Sequence, residues 1–564
     1  MRMSGAEITI ALLERQGIRI IAGIPGGANF PIYDALGKSG HIRHVLARHE
    51  QGAGFIAQGM ARVTGKPAVA MATSGPGATN LLTALADARL DSVPIVCLTG
   101  QVPRAMIGTD AFQEIDTYGM SIPATKHNFL VRSAAELLEV VPRAFRIAAS
   151  GRPGPVLVDV PKDVQLEEAQ FAAWPQPGVA DPAPLFDESD LERAAALIDG
   201  AERPVLCLGG GIISSNASEA AVALAEKARL PLLTTLMALG AVPSGHPLYL
   251  GMPGMHGPRC ANMAIEECDL FIAAGCRFDD RATGRLDAFC PNAKVLHVDI
   301  DASEIDKIRP AHVGITADAR EFIAALFPCV EARPRDEWLA RTAQLKADYP
   351  LVRPGVENPR SPYGLIAHAA AAAGPDAIVA TDVGQHQMWV AQSFPFGRPR
   401  RWLTSGGLGT MGFGLPAAIG AALAAPERTV VCFSGDGSLL MNIQELATAV
   451  EEAVNVKIVL LNNNSLGLVH QQQALFYGGR IYQTDYRTAV DFVRVAEGFG
   501  MSAFDLGATV DPVGALRRAF VRRGPVLIHA SVSVEEMVYP MVPPGAANRD
   551  MIGGEKDVYA MQQD

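Results

Sequence analysis

The sequence predicts an α/β protein of three tandem domains, each with a mostly parallel sheet flanked by helices. Short β-branched runs alternate with longer helical patterns along the chain, which is typical of βαβ units. Two proline-bearing stretches without periodicity interrupt this alternation and indicate linkers. The length of 564 residues suits three or four domains of ordinary size. We therefore expect three domains.

The predicted domains cover residues 1–165, 189–335 and 361–545, with linkers at 166–188 and 336–360 and a tail at 546–564. Each domain contains apolar runs that read as buried strands. The runs are AVAMA, PIVCLTG and PVLVDVP in the first domain, PVLCLGGG, DLFIAAG and KVLHVDID in the second, and AIVATDVG, RTVVCFSGDG, VKIVLLNNN and PVLIHAS in the third.

Charge and composition exclude several classes of function. The chain has 48 basic and 59 acidic residues, a formal charge of −11, so it lacks the basic surface that nucleic acid or an anionic membrane attracts. The eight cysteines form no C-x-x-C pair and several lie in apolar runs, which indicates reduced core residues and a cytoplasmic protein. The uncharged stretch 406–425 carries six glycines and reads as a buried loop leading into a helix, not a membrane span. These exclusions leave a protein that acts on small molecules.

One pair of motifs predicts a metal-bound diphosphate. Gly435-Asp436-Gly437 ends one predicted strand, and Asn462-Asn463 ends the next. A carboxylate and an amide oxygen on adjacent strand ends can share Mg²⁺, which also takes phosphate oxygens. Taken singly, the motifs fit a tight turn and a strand terminus. Together they resemble the G-D-G…N-N signature of thiamine diphosphate enzymes.

Two further segments fit the same chemistry. Asp382 to His386 follows the strand AIVAT and opens a predicted helix, whose free N–H groups favour phosphate oxygens, although an ordinary capped helix reads the same way. Glu50 lies between apolar segments and precedes small residues, whereas an isolated glutamate is usually a solvated surface charge. A buried carboxylate there would suit proton exchange with an aminopyrimidine.

Nearly the whole chain resembles the catalytic large subunits of acetolactate synthase, also called acetohydroxyacid synthase. TSGPGATN and GDG belong to the wider thiamine family, whereas IGTDAFQE, RFDDR and the methionine of GGLGTMG point to acetolactate synthase in particular. The other matching stretches are GIPGGANFPIYDAL, LARHEQGA, TKHN, SGRPGPVLVDVPKDVQ, GMHG, GFGLPAAIGA and GDGSLLMN. The resemblance implies thiamine diphosphate-binding folds in the first and third domains and a Rossmann-like FAD-binding domain between them.

The resemblance also implies a reaction. Pyruvate is decarboxylated on thiamine diphosphate, and the remaining two-carbon unit is joined to a second pyruvate or to 2-ketobutyrate. The products are 2-acetolactate and 2-aceto-2-hydroxybutyrate, at the first common step of valine, leucine and isoleucine biosynthesis. The implied cofactors are thiamine diphosphate, Mg²⁺ and FAD.

Site residues follow from the resemblance position by position. Glu50 activates the cofactor, Met411 supports its bent conformation and the Gly409 carbonyl accepts its amino group. Asp436 and Asn463 bind Mg²⁺ by side chain and Ser465 by its carbonyl, and Arg281 receives the carboxylate of the second keto acid. The other residues expected to line the thiamine and substrate site are Gly26, Gly27, Pro76, Phe112, Gln113, Val383, Gly384, Gln385, His386, Gly435, Gly437, Ser438, Gly467, Leu468 and Gln472.

The middle domain is expected to bind FAD by resemblance alone. Gly209 to Gly211 follow a predicted strand, but a dinucleotide fingerprint would need glycine in place of Ser214, so the pattern itself predicts only a glycine turn. The implied flavin residues are Arg152, Gly209, Gly210, Thr235, Leu236, Met237, Gly254, His256, Gly275, Arg277, Asp299, Ile300 and Asp318.

Glu50 and the metal motif fall in different predicted domains. The resemblance implies that two chains share the site, in a homodimer or homotetramer with a small regulatory subunit, whereas the sequence alone also allows both parts to come from one chain. Two other functions fit part of the pattern. A thiamine- and flavin-dependent pyruvate oxidase would consume oxygen, and a non-catalytic nucleotide-binding module would have no use for Glu50.

The sequence departs from the family pattern at Gln472. The family usually has tryptophan at this position, directly after NNNSLGLVHQ, and that tryptophan shapes the acceptor pocket. We expect that this residue leaves pyruvate and 2-ketobutyrate in balanced use as acceptors. With both acids present, the ratio of the two products should follow the ratio of the substrates. A large excess of 2-aceto-2-hydroxybutyrate would contradict this expectation.

Overall fold

The computed structural model describes residues 1–553 and confirms the predicted α/β class. Three parallel six-stranded sheets follow one another along the chain, each flanked by helices. Most of the predicted tail, from residue 554 onward, lies outside the described residues. Short 3-10 helices join the larger elements at Arg104–Met106, Leu236–Ala238, Leu286–Ala288, Ala302–Glu304 and Asn548–Asp550.

The first sheet has the strand order β3-β2-β4-β5-β7-β6. Its strands β4, β5 and β7 are fully buried, with helices on both faces of the sheet, as parallel sheets require. The elements of this unit are β1 (Arg2–Ser4), α1 (Gly5–Arg15), β2 (Ile20–Gly23), α2 (Phe30–Lys38), β3 (Arg43–Leu46), α3 (Glu50–Thr64), β4 (Ala68–Ala72), α4 (Pro76–Leu90), β5 (Ile95–Gln101), α5 (Thr117–Ser121), β6 (His127–Leu130), α6 (Leu137–Ala149), β7 (Val156–Pro161), α7 (Lys162–Leu166) and β8 (Glu168–Gln170).

The middle sheet has the order β11-β10-β9-β12-β13-β14. Its elements are α8 (Glu188–Gly200), β9 (Pro204–Leu208), α9 (Gly210–Ser214), α10 (Ser218–Ala228), β10 (Leu232–Thr234), β11 (Tyr249–Gly251), α11 (Arg259–Glu267), β12 (Leu270–Ala274), α12 (Asp280–Thr283), β13 (Lys294–Asp299), β14 (Val313–Thr316), α13 (Ala319–Cys329) and α14 (Asp336–Asp348).

The third sheet has the order β16-β15-β17-β18-β20-β19. Its elements are α15 (Pro362–Ala373), β15 (Ile378–Thr381), α16 (Gln385–Ser393), β16 (Trp402–Leu403), α17 (Gly414–Ala424), β17 (Val430–Gly435), α18 (Asp436–Met441), α19 (Glu445–Glu451), β18 (Val456–Asn462), α20 (Gly467–Phe476), α21 (Phe492–Gly498), β19 (Ser502–Asp505), α22 (Pro512–Val521) and β20 (Val526–Ser531).

In each sheet the chain first adds strands on one side of its starting strand and then crosses to the other side. The switch point lies between β2 and β4, between β9 and β12, and between β15 and β17. In open parallel sheets, ligands bind outside the carboxyl ends of the strands at such a switch point. The glycine-rich motifs of the sequence follow these strands, which places the predicted binding loops at the three crevices.

Both predicted linkers contain structure that the sequence reading missed. Residues 166–188 include β8, which pairs antiparallel with β1 at the amino terminus. Residues 336–360 include α14, where Trp338 and Leu345 are buried against the middle unit. The linker prediction rested on prolines and missed this helix because its apolar residues are few and widely spaced.

The segment after β20 returns to the middle unit. The backbone of Val542 donates to the Met255 carbonyl at 2.9 Å, and Arg285 donates to the Ala546 carbonyl at 3.0 Å. Asn548 adds a side-chain hydrogen bond to the Ala282 carbonyl at 2.9 Å. The start of the predicted tail, 546–553, is therefore part of the folded structure.

Helices α3 and α17 join the first and third units through a common apolar core. Glycines let their backbones approach closely. A Cβ at Gly59 would overlap the Ala417 carbonyl oxygen, and one at Gly420 would overlap that of Ile56. The stretch 406–425 is accordingly a loop followed by a buried helix, and no helix within 1–553 is long and apolar enough to cross a membrane. All eight cysteines are free, and only Cys329 is exposed.

We predict that Gly420→Ala lowers the stability of the protein. The added methyl group would force α3 and α17 apart, and overpacking of this kind costs about 1–3 kcal/mol. Gly37→Ala is the matched control because Gly37 lies in α2 with open space around it. Thermal unfolding should show a lower Tm for Gly420→Ala and an unchanged or higher Tm for Gly37→Ala. Equal Tm values would contradict the close helix contact.

Candidate active site

A cavity of about 140 Å³ lies at the switch point of the third sheet. The loops after β15, β17 and β18 and the start of α20 surround it. Many of the predicted thiamine residues line it, namely Val383, Gly384, Gln385, His386, Met411, Gly435, Asp436, Gly437, Ser438, Asn463, Ser465, Gly467, Leu468 and Gln472. The two halves of the G-D-G…N-N pattern therefore meet, as the sequence predicts.

The candidate metal residues lie within hydrogen-bonding reach of one another. The backbone N–H of Ser465 donates to the Asp436 carboxylate and to the Asn463 side-chain oxygen, both at 3.1 Å. The Asn463 amide donates to Gln385 at 3.2 Å. Burial raises the pKa of Asp436 to about 6, so this carboxylate lacks a compensating positive charge. A divalent cation held by Asp436 and Asn463 would supply that charge.

His386 provides a test of whether a diphosphate fits the cavity. Burial lowers the pKa of His386 to about 3, so the imidazole is neutral at pH 7. Its Nε2 is buried and has no hydrogen-bond partner among the described residues. The ring packs against Gly384 and Gly435, where a Cβ would come within about 3.0 Å of it. A phosphate oxygen would satisfy Nε2, and the uncapped amino terminus of α16 favours the same anion.

Glu50 begins α3 in the first unit and is buried, with 9% of its surface exposed. Its Oε2 accepts a hydrogen bond from the Asn80 amide at 2.9 Å. Its Oε1 lies 3.3 Å from the position that a Cβ at Gly77 would take. Glu50 is thus held at the carboxyl edge of the first sheet, between the starts of α3 and α4.

The other predicted first-domain residues gather at the same edge. Gly26 and Gly27 follow β2, and Pro76 opens α4. Gln113 packs on Gly75, where a Cβ would lie 2.9 Å from the Gln113 backbone. Phe112, on the same loop, exposes 87% of its surface, so no residue within 1–553 buries this side chain. The loop presents Phe112 outward.

The two halves of the predicted site do not line a common cavity within residues 1–553. Every described residue that lines the 140 Å³ cavity lies between 383 and 532, so none comes from the first unit. The start of α3 instead meets the far end of α18, where Asn442 donates to Gln51 at 3.3 Å. Asp436 stands at the opposite end of α18, which six residues make about 9 Å long.

A second cavity, of about 350 Å³, lies at the switch point of the middle sheet and has walls from all three units. Its lining includes the predicted flavin residues Arg152, Gly210, Thr235, Leu236, Met237, His256, Gly275, Arg277, Asp299 and Ile300. Gly211 and Gly275 touch: a Cβ at Gly211 would lie 2.7 Å from the Gly275 Cα. The loops after β9 and β12 therefore need these glycines to form the crevice.

Three predicted flavin residues do not line this cavity. Gly209 packs on the backbone of Gly275, and Gly254 packs on the backbone of Arg281 and Ala282. Asp318 caps α13, where its carboxylate accepts the N–H groups of Arg320 and Glu321 at 2.9 and 3.2 Å. Close backbone packing holds Gly209 and Gly254, and helix capping holds Asp318, which accounts for their position outside the cavity lining.

Comparison with known proteins identifies the family of this chain. The Thiamine pyrophosphate enzyme N-terminal TPP binding, central and C-terminal TPP binding domains match residues 3–120, 191–326 and 382–530. The chain is 59% identical to the acetolactate synthase isozyme 1 large subunit of Escherichia coli K12 over 98% of both chains. It belongs to the acetolactate synthase large-subunit family of thiamine pyrophosphate enzymes.

Other relatives in this family support the assignment. The isozyme 2 large subunit of the same organism is 46% identical over 98% of this chain and 99% of its own. The acetolactate synthase large subunit of Corynebacterium glutamicum is 47% identical over 98% of this chain and 90% of its own. The resemblance found in the sequence is thus confirmed, together with thiamine diphosphate as the cofactor of the family.

Leu468 and Gln472 connect the two cavities of this acetolactate synthase relative, and Arg281 lines the larger one. Arg281 lines the larger cavity, and its only ion pair among the described residues is the 3.7 Å contact with Asp280. Gln472 and Leu468 of α20 line both cavities. Gly409 lines the larger cavity, next to the loop residue Met411 in the smaller one. A substrate between the cavities would therefore face Arg281 and Gln472.

Several residues that surround the site were not predicted from the sequence. Asn80 holds Glu50, Asp485 accepts a hydrogen bond from the Ser465 hydroxyl at 2.7 Å, and the Tyr486 hydroxyl lies 2.7 Å from the Cβ position of Gly437. Asp485 and Tyr486 lie in a loop that is far along the sequence from the end of any strand. No motif signals them, because their role depends on tertiary contacts.

The loop that carries Gly409 and Met411 is fixed by carboxylates of the first unit. Asp91 accepts the N–H groups of Gly406 and Gly407 at 3.1 and 2.7 Å. Asp87 accepts the hydroxyl of Thr410 at 2.9 Å. The Arg62 guanidinium lies beside both carboxylates, at 2.8 Å from Asp91 and 3.5 Å from Asp87. This buried cluster ties α4 to the cofactor loop.

We predict that Asp91→Asn weakens thiamine diphosphate binding about tenfold. The neutral amide keeps one acceptor oxygen, so one backbone N–H of the loop loses a charge-assisted hydrogen bond, worth about 1.5–3 kcal/mol. Quenching of tryptophan fluorescence by added cofactor measures the affinity, because Trp389 lines the cavity. Asp34→Asn, which removes only an exposed ion pair with Lys38, is the control. Equal affinities for both variants would contradict the role of Asp91.

Proposed function

We propose that this chain catalyses acetolactate synthesis: decarboxylation of pyruvate and transfer of the remaining two-carbon unit to pyruvate or 2-ketobutyrate. The observation that carries the proposal is the pairing of two half-sites. A buried glutamate stands at the edge of the first sheet, and a crevice that would bind a diphosphate and a metal ion lies at the edge of the third. A nucleotide-binding module would need the second of these but not the first.

Thiamine diphosphate and Mg²⁺ would share the 140 Å³ cavity, and FAD would occupy the 350 Å³ cavity. The diphosphate fits the orphaned Nε2 of His386 and the amino terminus of α16. Mg²⁺ fits Asp436 and Asn463 with the Ser465 carbonyl, since all three supply oxygen. FAD fits the 350 Å³ cavity, whose glycine loops allow close approach to the backbone. When bound, thiamine diphosphate supplies the electron sink for loss of CO₂.

The protein's own part in the reaction is to place a proton acceptor and exclude water. The Glu50 carboxylate, oriented by Asn80, would exchange a proton with the pyrimidine ring through its Oε1. Buried side chains around the cavity keep water from the reacting carbon. Arg281 would bind the acceptor carboxylate, and Gln472 leaves more room than tryptophan would beside it.

We further propose that the two half-sites come together in a homodimer. Glu50 of one copy would complete the cavity of a second copy, and the exposed Phe112 would enter that same interface. A homotetramer would repeat the arrangement. The relatives are named large subunits, which supports a small regulatory partner for this chain. The eight free cysteines support the predicted cytoplasmic location.

The assay that tests this function measures CO₂ and acetolactate from pyruvate with thiamine diphosphate, Mg²⁺ and FAD. Acetolactate, detected as acetoin after acid decarboxylation, is the expected product. An oxygen electrode run in parallel distinguishes a pyruvate oxidase. Oxygen uptake equal to CO₂ release would replace the proposal with that oxidase, and no CO₂ release would remove thiamine catalysis altogether.

We predict that Glu50→Gln lowers acetolactate formation by about 10² or more, the size expected for loss of acid–base catalysis. The glutamine can still accept from Asn80, so folding and the Tm should not change. Turnover with pyruvate and the Tm are the measurements. Activity near that of the unmodified protein would remove Glu50 from the mechanism.

A mixture of two inactive variants tests the shared site. If Glu50→Gln and Asp436→Ala chains are unfolded and refolded together, hybrid dimers regain one intact site each. Random pairing predicts about a quarter of the original activity, because about half the dimers are hybrids with one of two sites intact. Each variant refolded alone is the control. No recovery despite hybrid formation would place both residues in the site of a single chain.

A further inference from the structure

Glu445, the first residue of α19, contacts the backbone just before Glu50. Its side chain is fully buried, and its Oε1 accepts the N–H groups of Arg48 and His49, each at 3.0 Å. The Thr448 hydroxyl donates to its Oε2 at 2.7 Å. A carboxylate from the third unit thus binds two successive amides of the first unit.

The same carboxylate also limits how closely the first turn of α3 approaches the third unit. A Cβ at Gly52 would overlap the Glu445 carboxylate, so the first turn of α3 rests directly on it. His49 caps α3, with its Nδ1 accepting the N–H of Gln51 at 3.1 Å. The residues on both sides of Glu50 therefore have fixed backbone positions, and a negative charge at a helix amino terminus is favourable.

The other contacts between α19 and this segment are of a different kind. Arg48 pairs with Glu451, and Arg43 pairs with Glu452, through side chains that are partly exposed. Thr448 donates to the Leu46 carbonyl at 3.4 Å. Exposed ion pairs contribute little to stability and leave the backbone free to shift. Among residues 1–553, only Glu445 accepts the N–H groups of Arg48 and His49, which precede Glu50.

We propose that Glu445 is a positioning residue for Glu50: it fixes the start of α3 so that the Glu50 carboxylate stands at the pyrimidine ring of thiamine diphosphate. The inference rests on the proposed function, in which Glu50 exchanges a proton with the cofactor. Glu445 itself touches neither cofactor nor substrate. Its effect passes through the backbone of Arg48 and His49.

Three variants separate this role from a general effect on the interface. Glu445→Asp keeps the charge but withdraws the carboxylate by about 1.5 Å, one carbon–carbon bond. Glu445→Gln keeps the acceptor oxygen at its original reach. Glu451→Gln removes an exposed pair with the Arg48 side chain and leaves the backbone contacts intact, so it is the matched control.

Amide hydrogen exchange of the protein without cofactor tests the contact itself. The peptide that spans residues 47–52 should exchange about tenfold faster in Glu445→Asp, as expected when backbone hydrogen bonds of ordinary net strength are lost. Glu445→Gln and Glu451→Gln should exchange like the unmodified protein. Unchanged protection in Glu445→Asp would overturn the inference without reference to activity.

Exchange of the C2 proton of bound thiamine diphosphate, followed by acid quench and NMR, tests the consequence. Glu445→Asp should slow this exchange about tenfold, since a displaced proton acceptor loses its alignment, and Glu445→Gln should restore it. Cofactor affinity should stay within about twofold in all variants. C2 exchange in Glu445→Asp equal to that of Glu451→Gln would overturn the inference. If the unmodified protein shows no C2 exchange, the proposed function fails instead, and the amide result still stands alone.

Discussion

The close contact between α3 and α17 determines how the rest of the site is arranged. Gly59 and Gly420 bring the two helix backbones together, and apolar residues on both sides complete one core that belongs to the first and third sheets alike. Because the helices cannot slide without a clash, the start of α3 is held at the junction of α18 and α19. Glu50, the loop that carries Met411 and the metal motif therefore keep fixed relative positions within the chain.

This arrangement has an unexpected consequence. Within residues 1–553 the contact that unites the two sheets does not bring their binding edges into one cavity, since the cavity around Asp436 has no first-unit residue in its described lining. Carboxylates cross the same interface in both directions: Asp91 of the first unit fixes the cofactor loop of the third, and Glu445 of the third fixes the start of α3. Each half-site is thus built with help from the other unit, and a second copy of the chain would complete it.

Sequence patterns predicted those parts of the structure that depend on local backbone geometry. The G-D-G and N-N motifs follow strands that pair in the third sheet, so their convergence was predictable from the parallel arrangement alone. The sequence pattern also predicted the glycine turn after β9, but it did not predict the cavity that this turn helps to form. Contacts between distant segments left no pattern: Glu445 lies almost 400 residues from His49 and reads as an ordinary helix residue. Asp318 is a flavin prediction that the cavity lining does not include, since its carboxylate caps α13 away from the cavity.

A structure of the protein with thiamine diphosphate and Mg²⁺, determined by cryo-electron microscopy, tests the divided site most directly. A divided site predicts that the diphosphate of each cofactor contacts His386 and the Mg²⁺ held by Asp436 of one chain, while the pyrimidine ring of the same cofactor contacts Glu50 of another. It would be contradicted by a cofactor whose diphosphate and pyrimidine ring contact residues of the same chain.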